Sequence, residues 1–353
     1  MPLETIGPSI ESGPLNGNFA YLNGLLGVSS LLRQALINGS FDVWQRGTTF
    51  PISGGGGYTA DRWFARRNGS ALGLTVSRQP GGIGRYCIRL QRDVGNTATN
   101  YAWMSQLIET ANTIPFRGRQ VSLRFRARKG ADYSQSQSVL TAAVRSGTDV
   151  DGTFSNSGGS INGEVTLGST SVVLTTNWQD FEVSCNAVPA NANLLSAKFE
   201  TRSGANEFTG VAGANDYVEI ELVGLNAGDV ALPVQPRSYG EELALCQRYY
   251  EKSYNIDTSP GTITAGGVLK WESTGSSYSG FMVQYKVTKR INPTFVIYSP
   301  NTGTPNNIFD QNTGADLTAA AEVAQSCTRI LVVNIITNTG DFLSAHWTAD
   351  AEL

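Results

Sequence analysis

The sequence predicts a mainly β protein, an antiparallel sandwich or jelly roll, and three observations carry that expectation. Period-two alternation recurs. Val121, Leu123, Phe125 and Ala127 alternate with Ser122, Arg124, Arg126 and Arg128, the pattern of a strand with one wet face. Glycine clusters punctuate the chain at Gly54 to Gly57, Gly81-Gly82 and Gly158-Gly159, where turns are expected. The strand–helix–strand alternation of a parallel sheet is missing. Composition agrees: with 16% charged residues and 39 glycines in 353, the chain reads as short strands joined by many turns.

Three zones follow in order. Residues 1–36 open with an extended, Gly- and Pro-containing stretch, Gly7 to Asn18. Leu22, Leu25, Ser29, Leu32 and Leu36 then follow a 3-4-3-4 spacing, which predicts a short helix. It either lies on the next domain or joins a bundle shared by several chains, because a lone helix this short is marginal in water. Residues 37–232 read as β throughout. Phe181 and Val183 alternate with Trp178, Asp180, Glu182 and Ser184. Val218, Ile220 and Leu222 are expected inside, with Glu219 and Glu221 outside. Residues 233–353 begin with a stiff linker containing Pro233 and Pro236. Ser238 with Glu241 is a capping box opening a helix, and Leu243, Cys246, Tyr249 and Tyr250 give it one apolar face. β-like segments return at 281–287, 294–298 and 330–337, with a long polar loop from Asn301 to Asn312.

Charge and rare residues exclude several functions. A net charge of −3 gives no basic surplus for nucleic acid. A single histidine, His346, rules out a His-rich zinc site. Cys87, Cys185, Cys246 and Cys327 stand far apart without a CxxC pair, so zinc-ribbon and redox motifs are absent and buried free thiols are expected. The N-terminus lacks the basic and apolar regions of a signal peptide. The apolar run Ile330 to Ile336, broken by Asn334, is far short of a membrane span of about 20 residues.

Few motifs carry chemistry. Gly81-Gly82-Ile83-Gly84 lacks the Lys-Ser/Thr ending of a phosphate loop and reads as a hairpin turn. Asp149-Val150-Asp151-Gly152 lacks the later ligands of an EF-hand and reads as a turn. Glu219 and Glu221 share a strand face at about 7 Å, loosely the separation of a glycosidase pair, but any exposed strand supplies such a pair. No catalytic, metal or cofactor site is expected. Trp63, Tyr101 and Trp103 offer flat faces for stacking on sugars, although such residues also fill cores. Arg124 and Arg126, in a row with Arg128, would suit an anionic glycan, or simply line a solvated strand face.

Two stretches make the chain recognisable. Asn38-Gly39-Ser40-Phe41-Asp42-Val43-Trp44-Gln45-Arg46-Gly47 and Tyr58-Thr59-Ala60-Asp61-Arg62-Trp63 resemble the opening of a domain common in phage tail-fibre proteins. That opening is also similar to carbohydrate-binding modules with a galactose-binding-like jelly roll. The segment from Arg237 to Lys252 and the ending His346 to Leu353 resemble the C-terminal region of the same family. The resemblance covers residues 38–353. It implies a jelly-roll module over 37–232, a small β-rich tip over 233–353 and a homotrimer. It further implies attachment through the N-terminus to other tail or baseplate proteins, within the phage virion, and adhesion to a host surface glycan. Trp271 and Trp347, aromatic residues beside the polar loop, join the candidate glycan contacts. The alternatives are a structural baseplate, collar or capsid decoration protein, and a polysaccharide depolymerase, for which no stacked β-helix repeat is visible.

Overall fold

The computed structural model describes residues 30–52, 54–153, 161–275, 280–332 and 339–353. The extended stretch Gly7 to Asn18 and the heptad positions Leu22, Leu25 and Ser29 lie outside them. What is described of the expected helix is one turn, α1 (Ser30–Arg33). Leu31 and Leu32 pack against the sandwich core, and Ala35 and Leu36 are buried in it. This end therefore lies on the next domain.

Twelve strands build two facing sheets. They are β1 (Thr49–Pro51), β2 (Gly57–Tyr58), β3 (Phe64–Arg67), β4 (Leu74–Pro80), β5 (Tyr86–Arg92), β6 (Ala102–Ile108), β7 (Gln120–Lys129), β8 (Val139–Gly147), β9 (Val165–Val173), β10 (Gln179–Ala187), β11 (Leu194–Glu200) and β12 (Tyr217–Ala227). The first sheet has the order β1-β4-β5-β12-β7-β10, and the second β2-β3-β6-β11-β8-β9. All the pairings are antiparallel. The chain is thus mainly β, an antiparallel sandwich of jelly-roll type. Its core interleaves Leu123, Phe125, Val218 and Ile220 of one sheet with Met104, Ala142, Ala197 and Phe199 of the other. Phe41, Leu123 and Phe125 are fully buried, and Phe181 is half-buried against Phe125 at 5.4 Å.

One strand departs from its simple alternation. β12 slips register between Glu221 and Gly224, and Leu222 takes a φ of 48°. Leu222 is only half-buried, whereas Val223 and Leu225 are fully buried. A bulge inserts one extra residue and so exchanges the inward and outward sets beyond it. Period-two reading from sequence carries no sign of that insertion. The bulge also drives the Val223 carbonyl against Gly39, where a Cβ would lie 2.0 Å from its oxygen.

A second β body follows. The capping box forms as expected, with Ser238 Oγ accepting from the Glu241 N–H and Glu241 reaching back to the Ser238 N–H. A short helix, α2 (Thr110–Thr113), belongs to the sandwich, and the capping box opens the next one, α3 (Tyr239–Gln247). The remaining strands are β13 (Tyr250–Lys252), β14 (Leu269–Thr274), β15 (Gly280–Gln284), β16 (Thr294–Tyr298), β17 (Asn307–Asp310), β18 (Ala315–Val323), β19 (Cys327–Val332) and β20 (Thr339–Asp350). Their sheet runs β13-β20-β17-β18-β19-β15, and β14 and β16 also pair with β20. The expected loop from Asn301 to Asn312 is therefore partly strand, since β17 pairs with β18 and β20. The 330–337 segment is described only to residue 332, as the end of β19. Among the described residues no helix is long and apolar enough to cross a membrane.

Gly39→Ala should destabilise the fold by at least about 1–3 kcal/mol, because the Val223 carbonyl cannot retreat without moving the bulge. Chemical denaturation reads this, and unchanged stability would show that the bulge yields freely.

Candidate functional site

The arginine row lies on the outer face of the first sheet, where cross-strand register decides its chemistry. Glu219 is directly opposite Arg89 on β5 and Arg128 on β7. It accepts from Arg89 Nε at 2.8 Å and Arg128 Nε at 2.6 Å. Glu221 faces Arg126 and pairs with it, while Asp180 and Glu182 take Arg124 at 3.2 and 3.0 Å. Four guanidinium groups thus meet four carboxylates, and no net positive charge is left for an anionic glycan. Glu219 and Glu221 do share a face, but each is fully buried under its arginines. Both are rungs of an ion ladder. Trp178 lies within this face, 4.9 Å from the Arg128 guanidinium.

The glycine turn has an unexpected partner. Gly81-Gly82-Ile83-Gly84 is the β4–β5 hairpin turn, as predicted. Its N–H groups point at an anion nonetheless: Gly82, Ile83 and Gly84 donate to the Glu221 carboxylate at 2.7, 3.3 and 3.3 Å. Consecutive backbone N–H groups form an anion cradle, here filled by the protein's own side chain. The Asp149–Gly152 segment is a turn with Val150 exposed. No group of metal-ligating side chains occurs among the described residues.

Tyr101 and Trp103 do come together, on the outward face of the second sheet. Neither offers an open ring, since Tyr101 is 4% exposed and Trp103 is 0%. The Arg202 guanidinium sits 3.7 Å over Tyr101, and Lys198 Nζ lies 4.9 Å from the Trp103 ring. Glu200 joins the two cations, at 2.8 Å from Lys198 and 3.4 Å from Arg202. Burial pushes the Lys198 ammonium below its ordinary range, with Glu200 opposing. Glu200 stays below the usual carboxylate range: burial acts against this, and Lys198, Arg202 and Arg145 outweigh it. Beside them runs a row of hydroxyls, Thr141 Oγ1 to Ser171 Oγ at 2.8 Å and Ser171 Oγ to Ser203 Oγ at 3.1 Å. Thr141 stands opposite Glu200 and Ser171 in the ladder, so all project from one face. The alternation of Ser196, Lys198 and Glu200 with Leu195, Ala197 and Phe199 was the available signal for this ledge.

Trp63 is core. It is fully buried, packs on Phe41 at 5.2 Å and donates its Nε1–H to the Asn38 carbonyl at 2.9 Å. Its neighbours explain why the opening motif is so specific. Asn38, in the left-handed region that Asn tolerates, donates from Nδ2 to the Val43 and Asp61 carbonyls and accepts the Val43 N–H. Its own N–H reaches Glu242 on α3. Arg46 lies 3.7 Å over the Tyr250 ring and bonds Asp350 at 3.0 Å and Glu352 at 3.4 Å. Arg62, 2% exposed, pairs with Glu352, donates to the Leu107 carbonyl at 2.6 Å and covers Tyr249 at 3.5 Å. Tyr58 donates to the Leu353 carbonyl at 2.6 Å, and Gln45 to that of Tyr250 at 2.8 Å. The motif from Asn38 to Trp63 is a clamp on the second β body.

In that body Trp347 is buried and stacks on Phe295 at 5.6 Å. Trp271 is half-buried against Phe281 at 5.7 Å. Both pack the core of the third sheet, and neither is placed as an open platform. His346 is also buried: its Nε2–H donates to the Thr264 carbonyl at 3.0 Å, Nδ1 accepts from Ser253 Oγ at 2.9 Å, and the ring stacks on Tyr254 at 3.8 Å. Burial lowers its pKa. Sequence offered no means of telling these anchors from surface aromatics, because both uses need the same residue types.

Two outcomes follow from the clamp. Arg62→Ala leaves the buried Glu352 only its longer contact to Arg46 and should cost about 3 kcal/mol or more. Glu352→Ala should cost a similar amount and the double variant far less than the sum, as read by thermal unfolding. Burial pushes the Asp61 carboxyl up to about 6, against the opposing pull of Arg46 and the Gln45 hydrogen bonds. The folded chain therefore holds this proton more tightly than the unfolded one. The Asp61 contribution to stability should grow as pH falls through 6 toward 4 and be lost as pH rises again. Relative to Asp61→Asn, the parent Tm should rise between pH 7 and pH 5; a constant difference would refute the shift.

No protein-family model matches the chain, and no curated protein matches it. Among solved structures, it is similar to the enzymatically active domain of bacteriophage CBA120 tailspike protein 4. The identity there is 14% over 56% of this chain and 22% of that one, with a TM-score of 0.35. It is similar to a CBM4 structure at 16% identity over 54% of this chain and 98% of that one, TM-score 0.33. It is also similar to TmCBM61 in complex with β-1,4-galactotriose, at 17% identity over 56% and 99%, TM-score 0.32. At these identities and TM-scores the matches carry no argument about function, and the strand order of the sandwich stands without them.

Proposed function

We propose that the chain is a tail-fibre or tail-spike adhesin that binds a glycan on the host surface and is not an enzyme. The observation that carries this reading is the ledge on the second sheet. Arg202, Glu200, Thr141, Ser171 and Ser203 present a guanidinium, a carboxylate and three hydroxyls from one rigid face. Sugar hydroxyls need such paired donors and acceptors; strands fix Glu200, Thr141 and Ser171 before the ligand arrives, and Arg202 and Ser203 follow directly after β11. The tail-fibre setting rests on the sequence resemblance of residues 38–63 and 237–252. Three copies on one particle would convert weak single contacts into avidity, by about 10²–10⁴.

The test is binding of the purified chain to host cells and to their isolated surface polysaccharide. Arg202→Ala and Glu200→Ala should each weaken binding by roughly tenfold or more, since each removes a charge-assisted hydrogen bond. Arg124→Ala, on the opposite sheet, should leave it unchanged. Folded Arg202→Ala and Glu200→Ala variants that bind as the parent does would remove the ledge as the site. Release of oligosaccharides from the polysaccharide would replace the adhesin with a depolymerase.

A further inference from the structure

A second concavity lies in the C-terminal body, far in sequence from the ledge. A cavity of about 250 Å³ is lined by Ile263, Lys270, Pro300, Asn301, Phe309 and Gln311, among others. At about 30 Å³ for each water it displaces, that is room for roughly eight waters. This matches a single sugar ring and falls short of the roughly 300–1,000 Å³ of a drug-sized site.

Its lining is divided. Phe309, Pro300 and Ile263 supply apolar surface, while Asn301 and Gln311 supply side-chain amides. Lys270 is the one charged residue of the lining, and it makes no ion pair among the described residues. The nearby carboxylates are engaged elsewhere. Asp316 accepts from Ser299 Oγ at 2.6 Å and from Thr302. Asp310 accepts the Asn312 and Thr313 N–H groups at 2.9 and 3.3 Å.

The walls are held without a ligand. Ser299 Oγ accepts the Asn301 and Thr302 N–H groups at 3.2 and 3.3 Å. The Gln311 N–H donates to the Phe342 carbonyl at 2.9 Å. Ser344 Oγ, also lining the cavity, donates to the Phe309 carbonyl at 3.4 Å. Such a site loses little ordering entropy on binding.

We propose that this cavity holds one pyranose residue that carries a carboxylate, a deeper reading that rests on the glycan-binding function above. The carboxylate pairs with Lys270, the amides of Asn301 and Gln311 meet ring hydroxyls, and the ring's C–H face lies on Phe309. A lone ammonium with no backbone N–H cluster suits a single negative charge better than a phosphate.

The experiment is saturation-transfer NMR and calorimetry on the full chain, with galacturonic acid, galactose and a galacturonic acid oligomer as probes. Galacturonic acid should bind at least about tenfold more tightly than galactose, and the preference should fade as salt rises. Lys270→Gln, at an exposed position, should abolish the preference without altering the fold. Gln311→Ala should weaken both probes. Arg202→Ala should change neither. Tighter binding of the oligomer would assign the cavity to a residue within a glycan, and equal binding would assign it to a free or terminal sugar. Equal affinity for the acid and the neutral sugar, or a Lys270→Gln variant indistinguishable from the parent, overturns the proposal. A chain that binds host polysaccharide through the ledge yet ignores galacturonic acid overturns this inference alone. A chain that binds neither overturns both.

Discussion

Arg46 and Arg62, held against Asp350 and Glu352 beneath the rings of Tyr249 and Tyr250, join the two β bodies into one structure. A buried charge is tolerable only with its counter-charge and its hydrogen bonds in place. Here the cations come from the sandwich and the anions from the last strand and its extension. Neither body alone can satisfy them. The same seam buries Ile37 and Val43 against Cys246 and Tyr249. It is continued by Arg290 of the second body, which pairs with Asp151 of the sandwich at 3.5 Å. Unfolding of one body therefore costs the other its ion partners.

This constraint shapes the sandwich from within. Asn38, Phe41 and Arg62 all hold positive φ values, conformations that persist only where surroundings impose them. Asn38 organises the loop that carries Arg46, and Asp61 fixes Gln45 through two hydrogen bonds at 2.7 and 3.0 Å. A long, specific motif is thus devoted to internal docking, and ligand recognition has to be sought elsewhere.

Charge neutralisation at close range recurs throughout. Arg92 and Asp216 are both fully buried and 3.2 Å apart. Arg92 also donates to the carbonyls of Asn96, Ala98 and Gly210, tying together loops at one end of the sandwich. Lys289 and Glu251 form a buried pair in the second body at 2.6 Å. The outer ladder of the first sheet follows the same rule. A chain with so few charges places most of its arginines in structural pairs, Arg202 with Glu200 among them.

Local pattern was enough for part of this. Period two located β7, β10 and most of β12, the capping box located α3, and turn chemistry explained Gly81 to Gly84, because each depends on neighbours within a few residues. Tertiary structure decided the rest. The bulge at Leu222 reversed the inward set, and it packs against Gly39, 183 positions away, a contact that no local pattern reveals. Cross-strand register turned Arg124 and Arg126 into ladder rungs. Trp63, Trp103 and Trp347 became buried, because an aromatic ring serves a core and a sugar platform equally well and only the fold chooses between them. The ledge and the cavity were not legible for the same reason: their residues come from strands and loops distant in the chain, and geometry alone brings them to one face.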